Sequence, residues 1–374
     1  MEKKEKKIKT WLLVLLFSLI LGFLGGVFSY IYSYKNFYSL FPFSQELDLN
    51  SWDYGGTNFI IQDAKKVVIN QDLKIEENIA YLSEATVGVF KKNEVSQDLY
   101  FFEDSILNGL VISSDGWVFV NIVGLPSFDK NILKNEDEYV IISKKNKKIY
   151  EIENLTYSEK DALLLLKIKG IDNFPVKSFY NFSDLKVGQS LLSYTFSGQI
   201  DPVFLMSKNQ QSGIVNIDKF SNSLIFNKKQ DDFFRNSFVF DLNGDLVALT
   251  SFDLEVYPMS DFKPLIFNFF KNKEIKKAKF GISYINISNV LSTDNDFYSE
   301  GAWVYNNGLS AVEKGGLFDL AGLKTGDIII RVNDYKVDSN NDLFDILNNF
   351  VIGDKLSLYV LRDDSFIDLK VDLK

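Results

Sequence analysis

Neither histidine nor cysteine occurs anywhere in the 374 residues. Their absence excludes imidazole base catalysis, thiolate nucleophiles, disulfide frameworks and Cys/His zinc sites. A basic stripe is lacking as well: outside the N-terminus Lys and Arg are scattered, and the net charge is -9. Phosphate neutralisation needs clustered cations on one face, so no nucleic-acid partner is expected. No cofactor and no metal site are expected either. What the chain has is apolar mass, 46% hydrophobic and 15% aromatic residues, enough to bury cores in two or three domains.

The longest apolar run is WLLVLLFSLILGFLGGVFSYIYS, residues 11–33, which carries no charge. A helix needs roughly 20 such residues to cross a bilayer, so this run is read as a single-pass membrane anchor. MEKKEKKIK precedes it, whereas the following flank turns acidic and aromatic. The excess of lysine places the N-terminal tail, residues 1–10, in the cytoplasm and the C-terminal domains outside. No small-x-small site closes the run, so retention is expected rather than cleavage as a signal peptide. Residues 34–79 read as a tether. The stretch that leads out of it, KKVVINQDLKIEENIAYL, suggests a strand followed by a short amphipathic helix around Ile75 to Leu82, before a strand at Thr86 to Phe90.

From Thr86 to about Phe252, short apolar runs recur between turn signals: LNGLVISSDGWVFVN, EYVIISKKNKKIYEIENL, DALLLLKIKG, VGQSLLSYTF, SGIVNI, NSLIFN and SFVFDLNGDLVALTS. Many short strands at this spacing indicate an antiparallel barrel or sandwich. SSDGW, KKNKK and LNGD supply the Asn, Asp and Gly that hairpin turns favour.

The order of these segments resembles the double-barrel domain of the HtrA (Deg) family of serine proteases. In that family a Gly-Val-Ile-Ile strand leads through Asp-Gly and an aromatic to Thr-Asn-x-His. Gly109 to Ile112, Asp115-Gly116-Trp117 and Val118 to Asn121 fall in matching places, and the histidine position falls on Val123. The segment bearing the family's triad aspartate resembles Asp161-Ala162-Leu163-Leu164-Leu165-Leu166-Lys167. A gapless match puts Ala162 at the aspartate position, with Asp161 beside it. VGQSLLSY and SGIV match the strands before the nucleophile loop. Where the family has Gly-Asn-Ser-Gly-Gly-Pro, this chain has FFRNSF, and the serine position falls on Arg235.

A serine hydroxyl needs a base to take its proton, and the oxyanion needs amides held by a glycine-rich turn. The matched positions supply neither, so the catalytic triad reads as degenerate. Ser237, two residues along, is the weak alternative nucleophile.

After Pro264, PLIFNFFKNKEIKKA reads as a linker helix. From Lys279 onward the pattern resembles a bacterial PDZ domain, most specifically in Ala321-Gly322-Leu323-Lys324-Thr325-Gly326-Asp327-Ile328-Ile329 with Val332-Asn333; the preceding GGLFD lengthens the approach to that motif. Such a domain binds an extended peptide at a sheet edge, with loop amides on the terminal carboxylate. The resemblance implies Lys279, Phe280, Gly281 and Ile282 as the carboxylate loop and Ser283 to Ile285 as the pairing strand. Leu343, Ile346 and Leu347, at helical spacing, are candidates for the pocket wall or for ordinary core.

The expected architecture is mainly β: an N-terminal transmembrane helix, a trypsin-like pair of six-stranded barrels over 80–270, and a linker helix with an α+β PDZ domain over 271–374. The expected function is that of a membrane-anchored pseudoprotease binding unfolded or C-terminal polypeptide segments in envelope protein quality control, as scaffold, sensor or holdase. Two alternatives stand beside it. One is an active serine endopeptidase with an atypical site; the other is a structural partner of active HtrA paralogues. The resemblance also implies a homotrimer.

Overall fold

The computed structural model of the chain describes residues 71–92, 99–125, 130–171, 173–209, 213–219, 222–227, 234–291 and 298–374. The apolar run at 11–33 and the strand expected near KKVVIN lie outside them. Among the described residues no helix is long and apolar enough to cross a membrane.

Helix α1 (Gln71–Ala85) is longer than its amphipathic stretch suggests and runs directly into β1 (Thr86–Lys91). β1 is followed by β2 (Leu107–Val111), β3 (Trp117–Asn121), β4 (Tyr139–Ser143), β5 (Ile149–Ser158) and β6 (Leu163–Ile168). These six antiparallel strands close into a barrel in the order β1-β2-β3-β6-β5-β4. The run LLLLKI in β6 is apolar on both faces because both faces are covered. Leu164, Leu166 and Ile168 fill the barrel interior. Leu163 and Leu165 face a second cluster, shared with the other half of the domain. The period of two along a strand requires this division.

The second half contributes β7 (Ser190–Tyr194), β8 (Ile200–Asn209), β9 (Val215–Asn216), β10 (Ser223–Phe226), β11 (Phe238–Asp241), β12 (Leu246–Thr250) and β13 (Val256–Pro258). All but β9 form one sheet, ordered β10-β8-β7-β11-β12-β13, whose edge strands β10 and β13 approach each other and curl it into a second barrel. Val239 points to that barrel's interior, while its neighbours Phe238 and Phe240 point to the shared cluster. The expected turns SSDGW, KKNKK and LNGD each join a pair of adjacent strands.

Helix α2 (Lys263–Asn272) closes the seam between the barrels with Leu265, Ile266 and Phe269. Phe269 meets Trp117 edge-on at 4.8 Å between ring centroids. The helix ends where Lys273 adopts φ +60° and returns its N–H to the Phe269 carbonyl. The EIKKA stretch expected to continue it is therefore not helical.

The C-terminal unit comprises β14 (Ser283–Asn286), β15 (Ala302–Val304), α3 (Leu317–Leu320), β16 (Ile328–Val332), β17 (Tyr335–Lys336), α4 (Leu343–Leu347), β18 (Lys355–Arg362) and β19 (Ser365–Asp372). Its sheet runs β19-β18-β16-β15-β14-β9. SGIVNI, expected as a barrel strand, is thus corrected: its strand portion, β9, joins the C-terminal sheet by antiparallel pairing with β14. GGLFD forms the start of α3, with Phe318 fully buried and stacked on Phe280 at 5.8 Å.

Candidate functional site

Two places gather the residues singled out by the sequence: the seam between the barrels, and the edge of the C-terminal sheet.

At the seam, Asn121 ends β3 with its side chain buried. Its Nδ2 donates to the Thr250 carbonyl at 2.9 Å, and its Oδ1 accepts from the Val123 N–H at 3.3 Å. It therefore holds the first barrel's strand end to the second barrel. Val123 is buried in the shared apolar cluster, and Ala162, at φ +49°, packs against the same cluster. The positions matched to a histidine and its aspartate are an aliphatic pair. Asp161 accepts a hydrogen bond from the Ser158 hydroxyl at 2.6 Å. It lines a cavity of about 570 Å³ together with Lys160, Lys277, Ile217 and Asp218.

Arg235, at the serine position, is exposed, and its Nη1 donates to the Phe252 carbonyl at 2.6 Å. The Phe252 N–H in turn donates to the Val123 carbonyl at 3.0 Å. One residue of the second barrel thus bridges the histidine and serine positions.

Ser237 is fully buried. Its hydroxyl accepts from Ser193 Oγ at 2.7 Å and lies 2.8 Å from Thr250 Oγ1, whose hydroxyl donates to the Phe234 carbonyl. The result is a chain of three hydroxyls ending on a backbone oxygen. Its amide donates to Thr250 Oγ1 at 3.0 Å, and the Asn236 amide points to the Ser251 carbonyl at 3.5 Å. These two N–H groups are turned inward, whereas an oxyanion hole needs donors aimed at a vacant position.

The sheet edge is built differently. Gly281 has φ +68°, and a Cβ there would come within 2.9 Å of the Glu313 side chain. Lys279 pairs with Glu313 at 2.6 Å, an exposed contact that raises its pKa through the Glu313 hydrogen bond. Phe280 and Ile282 are buried in the C-terminal core. In the loop from Lys279 to Ile282 the successive Phe280 and Gly281 amides converge on one carboxylate, the side chain of Asp218, in the manner of an anion nest. Ser283 opens β14, and Ile285, half-buried, lies opposite Trp303.

Leu343, Ile346 and Leu347 on α4 are all buried in the same core. Beside them Asp342 accepts from the Tyr284 hydroxyl, from Asn286 Nδ2 at 2.8 Å and from the Phe344 amide at 2.9 Å. Burial holds the Tyr284 hydroxyl well above its ordinary pKa.

The edge also holds three residues that sequence reasoning did not select. Val215 and Ile217 are buried in the C-terminal core. The Ile217 N–H donates to the Ile282 carbonyl at 3.1 Å. Asp218 accepts from the Phe280 amide at 2.9 Å and from the Gly281 amide at 2.7 Å, one on each carboxylate oxygen. The only signal in the sequence is the alternation Val-Asn-Ile closed by an acid, which also reads as the tail of a barrel strand.

Two antiparallel barrels packed about an apolar seam, followed by a separate antiparallel sheet with two short helices, define a trypsin-like two-barrel fold with a C-terminal α+β unit. Residues 278–373 match the family described as PDZ domain. The chain is 24% identical over 288 residues to a probable periplasmic serine endoprotease, DegP-like, of Rickettsia conorii, covering 71% of this chain and 53% of that protein. It is 23% identical over 229 residues to the serine protease Do-like HtrB of Bacillus subtilis, covering 54% and 48%. The chain spans about half the length of these curated relatives. Among solved structures, the HtrA-type protease AlgW with decapeptide is 13% identical and aligns over 80% of this chain and 98% of that one, with a TM-score of 0.45. The serine endoprotease from Yersinia pestis is 14% identical over 80% and 97%, with a TM-score of 0.40. In sequence the chain is thus similar to HtrA- and DegP-like serine proteases, and its residues 278–373 match a PDZ domain.

Proposed function

We propose that the chain is a membrane-anchored HtrA-like protein without peptidase activity, which binds extracytoplasmic polypeptides through its PDZ domain as scaffold, sensor or holdase in envelope protein quality control. The observation that carries this reading is Ser237: fully buried, hydrogen-bonded to two other hydroxyls, in a chain with no histidine. A serine in that setting has no base to accept its proton, and its amide and that of Asn236 are turned away from any substrate oxyanion. The aliphatic pair Val123 and Ala162 supports the same reading, because an apolar seam holds the barrels together without assisting proton transfer.

A fluorophosphonate probe tests the claim. Purified protein is expected to remain unlabelled; labelling that disappears in Ser237→Ala would contradict it.

The anchor at 11–33 places the barrels and PDZ domain outside the cytoplasm, a reading supported by the flanking lysines and by the word periplasmic in the names of relatives. Protease added to intact cells or spheroplasts should then remove the C-terminal domains. Full protection, lost only on lysis, would reverse the orientation.

A further inference from the structure

The PDZ edge does not stand open. Val215 and Asn216 pair antiparallel with Tyr284 and Ser283, and the next residue donates its N–H to the Ile282 carbonyl at 3.1 Å. In an antiparallel ladder alternate residues share a face, so Val215 and Ile217 point the same way. Both are buried in the cluster that contains Phe280, Ile282, Phe344 and Leu347. Immediately beyond Ile217, both oxygens of the Asp218 side chain are held by the Phe280 and Gly281 amides at 2.9 and 2.7 Å. The chain then turns back, with the Lys219 N–H on the Asn216 carbonyl at 3.1 Å. A strand added to the edge, two alternate aliphatic side chains in the groove and a carboxylate in the amide nest are the elements by which such a domain takes a chain end. Here an internal segment supplies all three, with an aspartate side chain in place of the terminal carboxyl group.

We infer that Val215–Asp218 is a resident ligand of the PDZ groove, and that the groove's foreign ligands are polypeptide C-termini with an aliphatic last residue and an aliphatic residue two before it, which bind by displacing this segment. The inference rests on the proposed peptide-binding role of the domain. The specificity follows from Ile217 and Val215, which mark the side chains the two positions accept. The competition follows from tethering: a linked segment acts at an effective concentration in the millimolar range. Against a micromolar groove, that weakens a foreign peptide by about tenfold or more. A second contact reinforces the docking, since Asn222 Nδ2 donates to Asp345 on α4 at 2.8 Å.

The absence of cysteine makes a direct test available. Asn216 and Ser283 are register partners and flank the hydrogen-bonded 217–282 position, so their Cα atoms lie at a separation that a disulfide spans. In the full-length protein, Asn216→Cys/Ser283→Cys is expected to form an intrachain crosslink under mild oxidation. The labelled peptide GIVNI with a free C-terminus, which copies Gly213–Ile217, serves as the foreign ligand. It is expected to bind Asp218→Ala at least about tenfold more tightly than the unaltered protein, to lose binding when amidated, and to be excluded from the crosslinked pair until reduction.

Failure of the pair to crosslink, or equal affinity of Asp218→Ala and the unaltered protein for the peptide, would overturn the inference. Efficient crosslinking with no peptide binding by any variant would instead sink the peptide-binding role, leaving the docked segment in place.

Discussion

Asp345 sits on α4 with its side chain buried, one oxygen accepting from Asn222 and the other, Oδ2, without a hydrogen-bond partner among the described residues. Burial pushes its carboxyl up to about 7, and the nearby Asp342 adds to the rise; Asp261 acts in the same direction more weakly. The Asn222 hydrogen bond and the Lys208 charge oppose it. A folded-state pKa above the unfolded value means the native protein holds a proton that the unfolded chain releases. Stability therefore falls as pH rises from about 4 to about 7. A rise from 3.8 to about 7 sets an upper limit of roughly 4 kcal/mol on this loss. Asp345→Asn keeps the acceptor for Asn222 and removes the titration. Thermal melts should show the unaltered protein losing stability between about pH 4 and 7 relative to Asp345→Asn; parallel curves would contradict this. At this scale the sequence was legible where a residue's role is local, as in Gly281, whose turn takes a positive φ. It was silent where the role comes from distant neighbours. Ser237 reads as an available hydroxyl until Ser193 and Thr250, on two other strands, are found against it.

Among the elements, β16 and β18 show how the PDZ motif works. Asp327, almost fully buried, accepts from the Lys324 amide at 2.7 Å and takes Arg362 in a two-pronged pair, both contacts at 2.7 Å. Arg362 also donates to the Gly322 carbonyl at 2.7 Å. The Gly-Asp turn is thereby tied to the end of β18. Removing one member of such a pair leaves the other charge uncompensated, so Asp327→Ala is expected to cost about 3 kcal/mol. A urea midpoint within error of the unaltered protein would show that the turn does not depend on this contact.

The strands themselves were readable because each carries its own alternation and its own turn. The two-residue β9 was not, since its partner lies almost 70 residues onward and its apolar pattern fits a barrel equally well. The same holds for β6, where continuous leucine concealed which face meets the interior. That division depends on the second barrel's Phe238 and Phe240 closing over the other face.

For the whole molecule, the barrels and the PDZ domain are joined both by α2 and by the docked segment, which leaves the second barrel between β8 and β10 to complete the C-terminal sheet. In this account the barrel scaffold serves to present and restrain the PDZ edge, and bond cleavage plays no part. The most direct measurement follows the fate of a bound polypeptide. An unfolded chain ending in two alternate aliphatic residues is incubated with the full-length protein, the complex is isolated, and the intact mass of the bound chain is read over hours. The account predicts a single unaltered mass that co-isolates with the protein. Fragments that accumulate with the unaltered protein and vanish with Ser237→Ala would contradict it.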